Sequence, residues 1–332
     1  MSRATHDVRL NGALGGLKIL DLSDLERYKQ AIDAGHQIGF GYYFPYLLSH
    51  NRPGRSAVLI CYDRGSLCVF LWRRRNHEER LDVCMPPAPM HLGVLERCLE
   101  RANEFNLDRT AGILRIDAKD AGAVSQLRRL RLKQRRLQYL YAPSAYANIG
   151  GNRYRTIRRN IALVERRADV EVLPYSASHA TACRELLRQW AEQHRNEHGG
   201  QGGAGTSART IGLAGLLTAP DLTGEIVLLN GRLSAFIFGG EIRPGIGCVL
   251  ETKCDLGVPG LGYFSRHRFL SKLEHFVLVN DGSDAGRAGL RQLKDSFRPI
   301  ELHAEYRGHQ RPTASTTARS RASASVARSP PA

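Results

Sequence analysis

Between Phe276 and Pro299 the sequence runs FVLVNDGSDAGRAGLRQLKDSFRP, setting carboxylate and carboxamide groups just ahead of two cations. The apolar run Phe276 to Val279 has the composition of a buried strand. Asn280, Asp281, Gly282, Ser283 and Asp284 are turn formers. Arg291 and Lys294 follow three residues apart, on one face of a helix predicted over 287–294. A carboxylate-bearing turn at a strand end, facing two cations, can orient a polar substrate. The same spacing also suits a solvated helix with a surface ion pair. A second group, Glu251, Lys253 and Asp255, stands at the end of another extended run. Residues two apart on a strand share a face, so Glu251 and Lys253 are expected side by side, with Asp255 in the following loop. The loop Gly257-Val258-Pro259-Gly260-Leu261-Gly262 then opens a helix whose N-terminus, with Gly260 in the bend, suits a phosphate.

Two basic segments suit a polyanion. Arg128, Arg129, Arg131, Lys133, Arg135 and Arg136 form one run. Arg153, Arg155, Arg158, Arg159, Arg166 and Arg167 lie on a predicted helix, with Tyr154 placed to stack on a base. The formal net charge is +16 over 332 residues; the tail after Arg307 holds four arginines and no acid, so +12 stays with the body. Such a body favours RNA, DNA or an anionic membrane surface, and a solvated basic face is the plainer reading of either run. No apolar run approaches the roughly 18 residues that span a bilayer, and the start MSRATHDVRLNG lacks an apolar core of a signal peptide. Seven cysteines, an odd count without a Cys-x-x-Cys pair, read as reduced thiols of a cytoplasmic protein, and no metal site is expected.

Apolar periodicity gives the elements that must position these residues. A first half reads as strand 17–22, a helix to about 34 opened by a Ser23/Glu26 capping box, an apolar stretch 40–48 and a hairpin of 57–62 and 67–72. It continues with a strand near 81–85, helix 93–105, strand 112–116, a basic helix near 121–131 and strand 137–141. A second half reads as a basic helix over 154–167, strand 170–175, helix 177–194 and a hairpin of 225–229 and 233–238 turning at Asn230-Gly231. Strand 246–251, helix 261–274, strand 276–279, helix 287–294 and strand 300–306 complete it. The segment Gly199 to Ser207 reads as a mobile loop, and the chain from Gly308 onward as disordered.

Asn280, Asp284, Gly286, Gly289-Leu290-Arg291, Lys294 and Pro299 resemble, in order and spacing, the end of the phosphatidylglycerol lysyltransferase C-terminal domain family. Three other places are similar to it: Pro86-Pro87 after a strand, Tyr139-Leu140-Tyr141 through Gly151-Asn152-Arg153-Tyr154-Arg155 to Asn160, and Glu251-Thr252-Lys253-Cys254-Asp255 followed by Gly260. The resemblance implies an α+β chain with a tandem GNAT-like acyltransferase fold, two mixed sheets flanked by helices. Its expected division is a flexible start (1–14), an N-terminal GNAT-like domain (15–145), a catalytic C-terminal one (146–307) and a disordered tail (308–332). The twice-repeated element order agrees with that fold. It also implies transfer of an amino acid from aminoacyl-tRNA to a hydroxyl or amine acceptor, either an anionic lipid head group of the phosphatidylglycerol type, met by peripheral membrane contact, or a small molecule. An aminoacyl ester is already activated, so no cofactor is expected. On this reading Lys294 and Arg291 stabilise the oxyanion or a terminal phosphate, while Glu251, Asp255 or Asp284 binds the ammonium or acts as base. Lys253, Asp255, Asn280 and Gly260 line the substrate site, and Arg153, Arg155, Arg158 and Arg159 hold RNA. The rival readings are a CoA-dependent N-acyltransferase, disfavoured because Gly257 stands where such enzymes carry Arg or Gln, and a non-catalytic RNA- or membrane-surface-binding protein.

Overall fold

The computed structural model describes residues 15–198 and 204–311. The expected flexible start, the glycine-rich residues 199–203 and the tail beyond 311 lie outside the described residues. In chain order come β1 (Lys18–Ile19), α1 (Leu25–Ala34), α2 (Phe44–Leu48), β2 (Ser56–Asp63), β3 (Ser66–Arg75), β4 (Glu78–Ala88) and α3 (Leu92–Asn106). Next are β5 (Ile113–Asp117), α4 (Ala118–Ser125), β6 (Leu130–Tyr141), α5 (Arg155–Glu165), β7 (Val170–Pro174), α6 (Ala180–His198) and α7 (Ala204–Leu213). The chain ends with β8 (Thr223–Leu229), β9 (Arg232–Arg243), β10 (Ile246–Cys254), α8 (Leu261–Lys272), β11 (Leu278–Ser283), α9 (Ala288–Ser296) and β12 (Glu301–Gln310).

Two compact units interleave in sequence. Of the described residues, the first holds 15–19, 54–134 and 306–311; the second holds 20–53, 135–198 and 204–305. Hydrogen-bonded strands follow one twelve-membered order, β1-β2-β3-β4-β5-β12-β6-β11-β10-β9-β8-β7, where two separate sheets were expected. β6 and β12 each hold residues of both units.

The pairing pattern repeats. In the first unit β1 to β4 pair antiparallel in succession and β5 joins β4 in parallel. In the second, β7 to β10 do the same and β11 joins β10 in parallel. A parallel neighbour needs a crossover, and α3 and α8 supply it. The first unit's core gathers Trp72, Phe70, Val83, Leu95, Leu99 and Ile113. The second packs Tyr141, Tyr146, Ile237, Phe269, Leu270, Val279 and Phe297 on the side of α5, α8 and α9.

Several elements differ from the sequence reading. The box that opens the first helical segment is Asp21 with Asp24, because the Asp21 carboxylate accepts the Ser23 N–H. The basic helix expected near 121–131 ends at Ser125, and the strand expected over 137–141 starts already at Leu130: residues 131–137 are mostly exposed, so no alternation of apolar side chains marked its first half. Ala204–Ser207, read as loop, form the first turn of α7, with Ser207, Thr210 and Ile211 buried. β12 runs on to Gln310, past the expected end of order at 307. β11 covers 278–283, so Asn280 to Ser283 are strand and the turn starts at Asp284.

Candidate active site

The strand extension in β11 has tertiary causes. Asn280 is fully buried; its amide donates to the Ile38 carbonyl at 2.9 Å and to the Gln138 Oε1 at 2.7 Å, while its Oδ1 accepts the Gly282 N–H at 2.8 Å. An asparagine that would turn the chain in isolation is held extended by partners from other elements. Gln138 Oε1 also accepts the Phe40 N–H at 3.0 Å, so Asn280 organises the loop ahead of α2.

On the opposite face of β11, Asp281 is the centre of a buried charge cluster. Arg266 of α8 donates from Nη1 to Asp281 Oδ2 at 2.6 Å, and Lys294 of α9 lies 3.4 Å from Asp281 Oδ1. All three side chains are nearly inaccessible. Lys294 Nζ also donates to the carbonyls of Asp281 and Gly282, and sits 5.4 Å from the centre of the Tyr139 ring. Two cations around one carboxylate leave a buried excess of positive charge. Burial, opposed by Asp281 and reinforced by Arg266, brings the Lys294 pKa down to about 8. Every acceptor that Lys294 meets belongs to β11, so its ammonium fastens the strand end to α9; an oxyanion would have to displace one of them. The Arg266 Nη2 reaches Thr252 Oγ1 of β10 at 3.3 Å.

Asp284 and Arg291 form the solvent-facing part. Arg291 Nε donates to Asp284 Oδ2 at 2.6 Å, with the guanidinium largely exposed and the carboxylate mostly covered. The Gly286 N–H donates to Asp284 Oδ1 at 2.8 Å, and the Tyr139 hydroxyl makes a long contact of 3.4 Å. Burial works to raise the Asp284 pKa, but Arg291 and the Gly286 N–H hold it below the ordinary aspartate value. A carboxylate so stabilised is a weak base and a good partner for a cation.

Glu251 and Lys253 are joined by an ion pair on one face of β10, and Lys253 sits 4.3 Å from the centre of the Trp190 ring on α6. Thr252, between them, points to Arg266 on α8; neighbours on a strand face opposite sides, so Glu251–Lys253 lies on the other face from the Asp281 cluster. Both groups stand beyond Cys248↔Asn280, the last paired register of β10 with β11. Asp255 is drawn away: Arg232 Nη2 donates to its Oδ2 at 2.6 Å and the Gly257 N–H to its Oδ1 at 2.9 Å. Gly260 has a packing reason to be glycine, since its φ is +88° and a Cβ would lie 2.6 Å from the Asn160 carbonyl oxygen of α5.

Of the arginines assigned to RNA, Arg153, Arg155 and Arg159 are exposed. Arg158 is committed to the preceding loop, donating to the carbonyls of Ile149 at 2.6 Å and Gly151 at 2.5 Å. Tyr154, expected to stack on a base, is buried in the core beside Tyr146. The α5 stripe of Ile157 and Val164 is buried as its periodicity predicts. A groove of about 350 Å³ brings Arg153 together with Arg291 and Arg298. Asp281, Arg266 and Arg298 were not singled out in sequence. Arg266 had one signal, a charge inside the otherwise apolar stripe of Leu261, Phe264, Phe269 and Leu270.

A model of the family described as phosphatidylglycerol lysyltransferase, C-terminal, matches residues 58–252, more than half of the chain. No curated protein gives a significant match. Among solved structures, a conserved protein of unknown function from Bacteroides thetaiotaomicron is similar at 20% identity and TM-score 0.74, over 89% of this chain and 99% of that one. The C-terminal domain of a putative lysylphosphatidylglycerol synthetase from Agrobacterium fabrum is similar at 13% identity and TM-score 0.62, over 90% and 96%. L-PGS from Bacillus licheniformis is similar at 13% identity and TM-score 0.63, over 90% and 95%. These likenesses show a shared fold.

Proposed function

The chain belongs to the phosphatidylglycerol lysyltransferase C-terminal family, and from that membership we propose that it is an acyltransferase carrying an aminoacyl group from aminoacyl-tRNA to a hydroxyl or amine acceptor. An anionic lipid head group of the phosphatidylglycerol type is the first acceptor to test and a small molecule the second. The observation that carries the proposal is the array of charge at the carboxyl ends of the parallel pair β10 and β11. Past Cys248↔Asn280 the two strands pair no further, and a different charge group stands on each face of them. The donor ester takes the α9 face. Its ammonium meets Asp284, whose depressed pKa keeps it ionised, and Arg291 faces the ester oxygen as negative charge develops. The acceptor enters from the α6 face, where Glu251 receives its proton. The acceptor atom bonds to the ester carbon, the bond from that carbon to the ribose oxygen breaks, and the proton ends on the ribose hydroxyl. Lys294, Asp281 and Arg266 act as positioning residues that fix the β11 end. Among the described residues no helix is long and apolar enough to cross a membrane. In this proposal the chain is cytoplasmic and meets a lipid acceptor at the bilayer surface.

The test is incubation with a mixed pool of charged tRNAs and phosphatidylglycerol vesicles, following which ester is lost and which product carries the amino acid. Loss of one ester with matching labelled lipid or small molecule is expected. Acyl-CoA consumption with no loss of ester would replace this reading with a CoA-dependent N-acyltransferase. Binding of RNA or vesicles without any turnover would leave a non-catalytic protein.

A further inference from the structure

The groove that joins Arg153 to Arg291 lies between α9 and the turn that opens α5, and its chemistry is not exhausted by the ester-handling groups. Its volume, about 350 Å³, falls within the range of ligand sites. Three guanidiniums line it, Arg153, Arg291 and Arg298, against one carboxylate, Asp295. Among the described residues no carboxylate lies within ion-pair distance of Arg153 or Arg298. Each is placed by the fold. The Arg153 guanidinium lies 5.5 Å from the centre of the Tyr154 ring, itself fixed in the core. Arg298 follows the end of α9 in the left-handed region, φ +55°, which turns the chain back so that its Nε lies 3.4 Å from the Arg153 carbonyl oxygen. Arg291 is held at the wall by Asp284. With Arg291 paired to Asp284, Arg153 and Arg298 against Asp295 leave a surplus of one positive charge, which matches a phosphodiester.

We propose that this groove seats a nucleotide of single-stranded RNA, with its phosphate on Arg153 and Arg298 and its ribose hydroxyls on Asp295; the assignment rests on the aminoacyl-tRNA reading and names the part of the donor that docks here. A flat anionic bilayer has no use for a concave site or for an acid among the arginines, whereas a ribose 2′-hydroxyl donates well to a carboxylate. Arg291 belongs to both places: it lines the groove and binds Asp284. An ester on the ribose of a nucleotide seated here is therefore delivered to the Asp284 turn.

The test uses the full chain and fluorescence anisotropy with a labelled single-stranded RNA ending in CCA, DNA of the same sequence, and phosphatidylglycerol vesicles. The double variant R153A/R298A removes two exposed side chains, and its melting curve should match the wild type. It should bind the RNA at least about 10-fold more weakly, with the slope of log K against log salt reduced by roughly 0.7 for each phosphate no longer neutralised. The charge-keeping R153K/R298K should retain the salt slope and lose only part of the affinity. D295N should weaken RNA binding and leave DNA binding unchanged. Unaltered RNA affinity and slope in R153A/R298A, or a loss confined to vesicles, would overturn the groove assignment. The two readings separate cleanly. If the wild type discharges aminoacyl-tRNA and the double variant does so with the same KM, the groove assignment fails and the function stands. If the oligonucleotide binds through these arginines while no charged tRNA is ever discharged, the function fails and the groove stands.

Discussion

The two parallel strand pairs of this chain share a backbone plan and differ in what their carboxyl ends carry. In the first unit, β4 ends in Met85-Pro86-Pro87-Ala88, all buried, and pairs with β5 at Val83↔Ile113. Prolines there remove N–H donors and offer no charge. In the second unit, β10 ends in Glu251-Thr252-Lys253 and β11 in Asp281, facing Arg266 and Lys294. The turn after each pair uses one device: an aspartate accepts the N–H two residues on, Lys119 N–H to Asp117 at 3.0 Å and Gly286 N–H to Asp284 at 2.8 Å. The Asp117 turn leads straight into α4, whereas Asp284 also holds Arg291. Under the proposed function, a repeated scaffold supports chemistry at one of its two ends, and the side chains make the difference.

The largest effect expected is on Lys294. Lys294→Met deprives the Asp281 carboxylate and two buried carbonyls of a donor, and should cost roughly 3–5 kcal/mol in urea unfolding, with transfer lost. Its pH dependence has a definite sign. Burial lowers the native pKa to about 8 from 10.5, so between these values the unfolded chain binds more protons and wild-type stability rises with pH. Below about 8 the lysine is charged in both states and its contribution is flat. The variant lacks this rise, so the stability difference between the two proteins should widen from about pH 8 toward pH 10.5. A constant difference would mean that Lys294 titrates as an exposed lysine and that the second strand end is no more specialised than the first.

Asp284→Asn comes next. The pair with Arg291 is largely open to water on the arginine side, so stability should change by less than about 1 kcal/mol. Transfer should fall by about 10²-fold, measured as kcat/KM for the discharged ester, because the ammonium loses its counter-charge and Arg291 its anchor. Asp284 is ionised well below neutrality, so the small stability it contributes is lost only as pH falls through its depressed pKa. Wild-type turnover in this variant would move the site to Glu251 and Lys253.

The order of elements, the face shared by Glu251 and Lys253, and the buried stripe of α5 were legible because period and composition report them directly. What escaped was set by partners distant in sequence. Asn280 looks like a turn former until Ile38 and Gln138 supply its hydrogen bonds. Residues 131–137 carry charge on both sides of a strand, and charge has no period to read. The first turn of α7 contains Gly205, and its anchors, Ser207 and Thr210, are polar residues whose burial no local rule announces. Nothing in the order of α1 and α2 tells that both are grouped with the second unit. Lys294 was visible as a cation on a helix, but its burial against carbonyls of β11 was not, since it depends on the strand reaching Ser283.

The smallest effect belongs to a lysine of the first unit, on the helix that follows its parallel pair, and it is the sharpest control. Lys119 is the second residue of α4 and pairs with Asp120 at 3.3 Å, with over a third of its side chain in water. Its N–H, not its ammonium, makes the turn contact with Asp117, so Lys119→Met keeps that bond. The lost ion pair is partly screened, and the stability change should stay within about 1 kcal/mol. Transfer from charged tRNA should be unchanged, with kcat and KM both at wild-type values. The comparison with Lys294→Met then separates position from residue type: the same substitution, on the helix that follows each parallel pair, removes a buried anchor in one and a solvated charge in the other. A fall in kcat for Lys119→Met, with the melting temperature unmoved, would place the first strand end in the chemistry as well and end the assignment of catalysis to the second unit alone.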